Sequence, residues 1–324
     1  MRLVASRLGA AQRRLPLLQL VALVALFLYG AATIDGFSQA PSIRSMLVLA
    51  SLLGLAAAGQ TLVLLLGALD LSIPGLIVLG ATVISELCGS EGWALVPALA
   101  VVVALCAVVG ATVGWLCHRF RVMPIIVTLA VSSLALGSIQ VWTHGTVTGS
   151  APQLLSDLVA VNGTTAGLPV SPVVVIWGLF AVLIGVFLHR THTGRRIYAT
   201  GANQRAAELS LVNTRRVWMG IFCASAVLSG IVGVLLAGFA GADPTLGDPY
   251  LFQGLTAVIV GGTAFMGSRG DYTHTVIGAL ILTELTTIMV GRGSDAADQQ
   301  IIFGVLILVV VAGYGRERRL RDRV

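Results

Sequence analysis

Lysine is absent: all 20 basic residues of this 324-residue chain are arginine. A Walker A loop uses the lysine of G-x-x-x-x-G-K-[ST] to hold the β- and γ-phosphates, so the chain has none. Charge is scarce at 10 %, against about 25 % in a soluble domain. The 4 cysteines, Cys88, Cys106, Cys117 and Cys223, lie in or beside apolar runs with no CxxC spacing. They read as small packing residues and not as a disulfide or metal set. There is no HExxH, no G-x-S-x-G and no DDxxD-like carboxylate pair. His118, His144, His189, His192 and His274 do not pair at ligand spacing. No catalytic constellation is left on which to build an enzyme.

What the chain has is apolar length. Its residues are 56 % hydrophobic and its mean hydropathy is +0.94. Runs of about 20 apolar residues recur, the length of a membrane-spanning helix. They do not alternate with polar residues, which excludes a β-barrel. The expectation is an all-α polytopic membrane protein, a single domain over residues 1–324. Ten spans are placed near 17–34, 44–66, 72–88, 94–117, 123–141, 172–189, 216–239, 252–267, 272–290 and 298–314. The first follows a basic start like that of a signal peptide, but is long enough to span and reads as uncleaved. The span at 252–267 holds Gly254, Gly261, Gly262 and Gly267 and reads as either continuous or broken and partly re-entrant.

Ten spans put both termini on one side, and the arginines say which. Arg2, Arg7, Arg13, Arg14, Arg119, Arg121, Arg190, Arg195, Arg196, Arg205, Arg215, Arg216, Arg269, Arg316, Arg318, Arg319, Arg321 and Arg323 share a side, leaving only Arg44 and Arg292 opposite. By the positive-inside rule the termini and loop 190–215 are cytoplasmic and loop 142–171 is external. The net charge of +6 is then a topology signal that calls for no nucleic acid.

Three stretches stand out. In residues 59–81 two spans meet at Gly67, Asp70, Ser72, Pro74 and Gly75, a turn too short to leave the headgroups. Ser72 before Pro74 reads as a helix start with its hydroxyl as cap, and Asp70 lies near the positive end of that helix. Asp70 and Ser72 are either caps alone or part of a transport path or of a contact with a partner. In the loop 190–215, Asn203 to Val212 suits a short helix with Asn203 as N-cap and Ala206, Ala207 and Leu209 as an apolar patch. Such a helix either lies on the membrane or fits a groove on another protein. Glu284, within the ninth span, is costly in lipid and faces a protein interior or an aqueous path. Glu86 sits near the outer surface and reads as solvated.

Residues 59–81, Gly194 to Ser210, and Ala257 to Thr263 with Met266, Gly267, Gly270, Gly278 and Ala279 together resemble the inner-membrane permeases of bacterial ABC importers for monosaccharides, the ribose, arabinose, xylose and galactofuranose group. Gln299 and Gln300 also fit, and the match runs in order along nearly the whole chain. Leu211 and Ser268 stand where that family has glycine, Ala68 where it prefers one, and Ile73-Pro74 replaces Val-Gly. The resemblance implies the permease fold of the ribose type in a bacterial inner membrane. It also implies a dimer with a second copy or a paralogue, two cytoplasmic ATPase subunits that bind the ATP and magnesium, and an external sugar-binding protein. No cofactor is implied for this chain. Gly201, Asn203, Ala206, Ala207, Glu208, Leu209 and Ser210 would be the helix seated on the ATPase. Gln60, Thr61, Asp70, Ser72, Thr263 and Glu284 are the candidate path residues. The competing reading is a stand-alone carrier of a small polar solute, driven by protons through Glu284 or Asp70.

Overall fold

A computed structural model describes residues 16–263 and 267–321. Arg2, Arg7, Arg13, Arg14, Met266 and Arg323 lie outside the described residues. Among those described, the chain is all-helical, with no strand: α1 Leu17–Thr33, α2 Ala40–Leu65, α3 Ile73–Ser85 with a π-helical turn Glu86–Ser90, α4 Leu95–Phe120, α5 Pro124–Trp142, α6 Gln153–Val159, α7 Pro172–Arg190, α8 His192–Ala202, α9 Gln204–Leu209, α10 Thr214–Ala240, α11 Asp248–Val260, α12 Tyr272–Gly291 and α13 Ala296–Arg321. Among the described residues, seven stretches are long and apolar enough to cross a membrane: α2, α3 only when continued by its π turn (its own 13 residues fall short), α4, α5, α7, α10 and α12. Leu17–Thr33 and Ala296–Ala312 are apolar but shorter.

The bundle is built around α2, α3 and α10. From Val48 to Leu65 α2 is buried almost without interruption, as suits a helix that is apolar all round. Its small residues admit close neighbours: the Trp177 indole lies on Gly54, and a Cβ on Gly59 would come within 2.8 Å of Ser225 Oγ. Trp177 Nε1 donates to the Tyr272 hydroxyl (3.0 Å), which donates to the Gly54 carbonyl (2.8 Å), joining α7, α12 and α2. Around this centre α4, α5 and α7 turn Val96, Val108, Leu134, Val141, Leu179 and Val182 outward. Apolar side chains on the outside are what a lipid surface requires.

The turn expected at the headgroups is not there. Beyond Leu65 the chain reverses at Gly67, whose φ of +77° suits glycine, and climbs back into the bundle. Asp70 accepts a hydrogen bond from Ser225 Oγ, the atom that Gly59 also abuts. Gly59 and Asp70 therefore stand at one depth, about 9 Å above the end of α2 at 1.5 Å per residue. Helix α3 starts from inside the bundle and climbs to the end that carries α6.

The span expected at 252–267 is likewise a half-helix. Helix α11 ends at Val260, where Gly262 turns with φ +104°; its 13 residues reach about 20 Å, short of a hydrocarbon core of about 30 Å. Before it, residues 241–247 descend from the end of α10 until Gly247 lies on the Pro74 carbonyl. Two units of one design result. A long helix (26 residues in α2, 27 in α10) is followed by an irregular 7-residue return (66–72, 241–247) and a 13-residue half-helix with proline at its second position. The units run oppositely, and the N-termini of α3 and α11 meet near the middle of α10.

Gly247 has φ −82°, which any residue adopts, so Gly247→Ala isolates the steric cost of separating α3 from α11. We expect a loss of about 1–3 kcal/mol, read as an earlier melt with a thiol dye that reports the buried Cys106 and Cys117.

Candidate functional site

Asp70, with 2 % of its surface exposed, holds the junction. One oxygen accepts from Ser225 Oγ at 2.7 Å, the other from the Ser72 N–H at 2.9 Å and the Ser72 hydroxyl. Ser72 thus does not cap α3 with its side chain as expected: its hydroxyl is turned back to Asp70. Caps come from α5 instead. Thr128 Oγ1 accepts from the Leu71 N–H (3.0 Å) and Ser132 Oγ from the Gly75 N–H (3.2 Å), while Pro74 has no N–H to satisfy. The N-termini of α3 and α11, both positive ends of helix dipoles, converge here. Asp248 heads α11 and is exposed. Its neighbour Gly247 lies on Pro74, between Asp70, level with Ser225, and Ile77, level with Gly233. Asp248 is therefore an exposed carboxyl at the level of the mid-bundle junction, a group for which lipid is a poor neighbour.

The other expected path residues do not join this junction. Thr61 pairs its hydroxyl with that of Thr275 at 2.9 Å, closing α2 on α12. Gln60 is buried, as is Thr263 beyond the end of α11, and neither the Gln60 Oε1 nor the Thr263 hydroxyl has a hydrogen-bond partner among the described residues. Glu284 lines a separate opening of about 70 Å³ with Phe27, Ile43, Met46, Leu47, Leu280 and Thr283, and its Oε2 has no hydrogen-bond partner among the described residues. Residues 142–171 contain the short helix α6. Glu86 is not merely solvated: it accepts backbone hydrogen bonds from Thr148 (2.6 Å) and Gly149 (3.2 Å).

At the opposite end, the stretch 190–215 is mostly helix. Thr191 caps α8 through the Gly194 N–H, Asn203 caps α9 through the Ala206 N–H, and Asn213 caps α10 through the Arg216 N–H. The cap expected at Asn203 is present, but the helix stops at Leu209, because Leu211 adopts the left-handed conformation, φ +61°. The expected patch is also divided. Ala206 and Ser210 are exposed, Ala207 turns inward at 4 %, and Leu209 and Leu211 project at 81 % and 94 %. Glu208 accepts from Gln204 (3.1 Å) and Thr214 (2.8 Å), and these hydrogen bonds hold its carboxyl below the usual carboxylate value. Gly201 rests on the Leu65 carbonyl, where a Cβ would collide, and the Ser268 N–H donates to that carbonyl at 2.9 Å. His189 and Asp271 pair at 2.9 Å. Burial alone would raise the Asp271 carboxyl, but hydrogen bonds from His189 and Thr273 outweigh it and hold it low.

Sequence reading missed Ser225, Asp248 and the partners of Glu86. Ser225 looks like any small residue of an apolar helix, and Asp248 like any outer-loop acid. No group of three potential ligands that could hold a metal occurs among the described residues.

The family described as branched-chain amino acid transport system, permease component, matches residues 42–311. The ribose import permease protein of Escherichia coli K12 is 32 % identical over 90 % of this chain and 91 % of its own length. That of Bacillus subtilis is 31 % identical over 85 % of each. The fructose import permease protein of Rhizobium meliloti is 29 % identical over 92 % of this chain and 83 % of its own. No solved structure matches.

Asp70→Ala would strand three donors at once. We expect it to cost about 3 kcal/mol in thermal unfolding, and Ser225→Ala about 1 kcal/mol.

Proposed function

As this chain belongs to the family of permease components of branched-chain amino acid transport systems, we propose that it is the membrane subunit of an ATP-driven importer for a monosaccharide or related polyol. The sugar is taken from the names of its relatives. The observation that carries the mechanism is the mid-bundle junction, where two half-helices of opposite course meet beside Asp70 and Asp248. Broken helices that meet at mid-depth are the sites about which carriers open alternately to either side. In this reading all ten helices other than α6, α8 and α9 cross or enter the membrane, both termini are cytoplasmic, and the membrane is a bacterial inner membrane. Asp248 and the groups around Asp70 and Ser72 border the path, with Gln60, Thr61, Thr263 and Glu284 as further contacts. A permease that receives its solute from an external binding protein needs few such contacts, because the binding protein supplies the selectivity.

Helices α8 and α9 would seat on cytoplasmic ATPase subunits, which hold the ATP and magnesium, and the chain would work as a dimer with a second copy or a paralogue. The exposed pair Leu209 and Leu211 supports this seat. Two leucines at the end of the molecule suit a groove in a partner. Substituting Ala207 would break the fold of the α8–α9 pair itself, whereas Leu209 and Leu211 support nothing within the chain. The double variant Leu209→Glu, Leu211→Glu should therefore insert normally but lose the ATPase in a mild-detergent pull-down; retained ATPase would remove α9 from the interface.

Energy coupling separates this reading from a proton-driven carrier. Uptake should survive an uncoupler while ATP lasts, and Glu284→Gln should keep that ATP dependence. Collapse with the proton gradient and loss of uptake in Glu284→Gln would establish the carrier instead.

A further inference from the structure

We propose that Glu86 is a positioning residue that ties the external-loop residues 148–150 to the α3–α11 pair, and through it to α8 and α9 at the far end. Glu86 opens the π-helical turn Glu86–Ser90, closed by the Glu91 N–H on the Glu86 carbonyl at 3.0 Å. One carboxylate oxygen accepts from the Thr148 and Gly149 N–H groups, and the other from the Ser90 hydroxyl at 2.7 Å. The two backbones lie directly on one another: a Cβ on Gly149 would strike the Ser85 carbonyl, and one on Gly89 the backbone of Ser150. Bonds from backbone N–H groups to a carboxylate are among the stronger hydrogen bonds.

From this clamp rigid contacts run through the molecule. Helix α3 carries them to the Pro74–Gly247 contact, where α11 begins, and to Asp70, where the return 66–72 is fixed. Helix α11 leads to Gly261 against the His274 carbonyl. Beyond it Gly267 packs on Gly67 and Gly201: a Cβ on Gly267 would come within 2.8 Å of the Gly67 N and 3.2 Å of the Gly201 carbonyl oxygen. Tyr198 of α8 donates to the Gly270 carbonyl at 2.8 Å. Between the clamp and α3 lies the π turn, whose i→i+5 ring holds one residue more than an α turn, a rare geometry that is frequent at functional sites. Pulling on residues 148–150 draws on that turn and on the N-terminus of α3 below it. The inference builds on the proposed transport role for its use, but its contacts do not depend on that role.

The test is hydrogen–deuterium exchange by mass spectrometry on the full chain in lipid nanodiscs, comparing wild type with Glu86→Ala and Glu86→Gln. Thr148→Pro, which removes the shortest donor from the loop side, serves if Glu86→Ala does not insert. We expect Glu86→Ala and Thr148→Pro to speed exchange about tenfold at 149–150 and about threefold at 66–72 and 203–213. Glu86→Gln, which keeps an acceptor oxygen, should restore most of the protection. Faster exchange confined to 146–150, or no change at either end, would overturn the proposal and leave Glu86 a local staple. The readout involves no transport, so the proposed function and this inference fail separately.

Discussion

A peptide group that leaves a helix inside a membrane finds no water to bond, and each one left unpaired costs several kcal/mol. The fold follows from how this chain meets that constraint at two breaks. At 66–72 the Leu66, Gly67 and Ala68 N–H groups bond back to carbonyls of α2, and the Ser72 N–H bonds to Asp70. Helix α5 supplies Thr128 to the Leu71 N–H and Ser132 to the Gly75 N–H at the start of α3, and Asp70 takes up Ser225 of α10. At 241–247 the break meets its own needs. Asp243 accepts from the Thr245 N–H at 2.7 Å, and the Leu246 and Asp248 N–H groups bond back to the carbonyls of Asp243 and Thr245. The first break is buried or half-buried but for Gly67 and draws on α5 and α10, while the second is exposed or half-buried but for Gly247 and bonds within itself. Burial decides which solution is open to each, since only a break that water or a partner reaches can leave acids such as Asp243 and Asp248 on its surface.

The same constraint explains what could be read from the sequence. Helical membrane segments were legible because apolar length is a property of the chain itself, and so was the cap at Asn203, whose donor is three residues away. The depth of Asp70 was not legible. Gly, Asp, Ser and Pro make a headgroup turn and a buried return alike, and only Ser225, 155 residues on, separates them. Helix α8 was missed because His192 to Arg196 has no apolar run; it is held by an inward stripe of Gly194, Ile197 and Thr200. The role of Glu86 was invisible for a different reason. Its partners are backbone N–H groups 62 and 63 residues away, and a backbone donor leaves no mark in the sequence. Of the candidate path residues, Asp70 and Ser72 share the junction at the start of α3. Glu284 and Thr263 are polar groups in apolar surroundings, as read, but the structure puts them in separate places.

The two departures from glycine at Leu211 and Ser268 have a common physical content. Both residues have left-handed backbones, φ +61° and +60°, a conformation that costs an ordinary residue about 1–2 kcal/mol relative to the right-handed one. The Ser268 N–H bonds to the Leu65 carbonyl at the end of α2, beside the stretch on which α8 rests, and the Leu211 N–H bonds to the Glu208 carbonyl at 3.0 Å; glycine would make either bond, so neither offsets the strain. Leu211 is strained and its side chain is 94 % exposed beside Leu209, so both its backbone and its surface work against the isolated subunit. Glycine there would relieve the backbone and bury nothing less. An isobutyl group kept at that cost gains only where something covers it, and it stands at the tip of the helix pair that Gly201 and Ser268 lock to the end of α2. In the proposed complex, a contact on Leu209 and Leu211 would bear through Gly201 on the end of α2, next to the first of the two breaks.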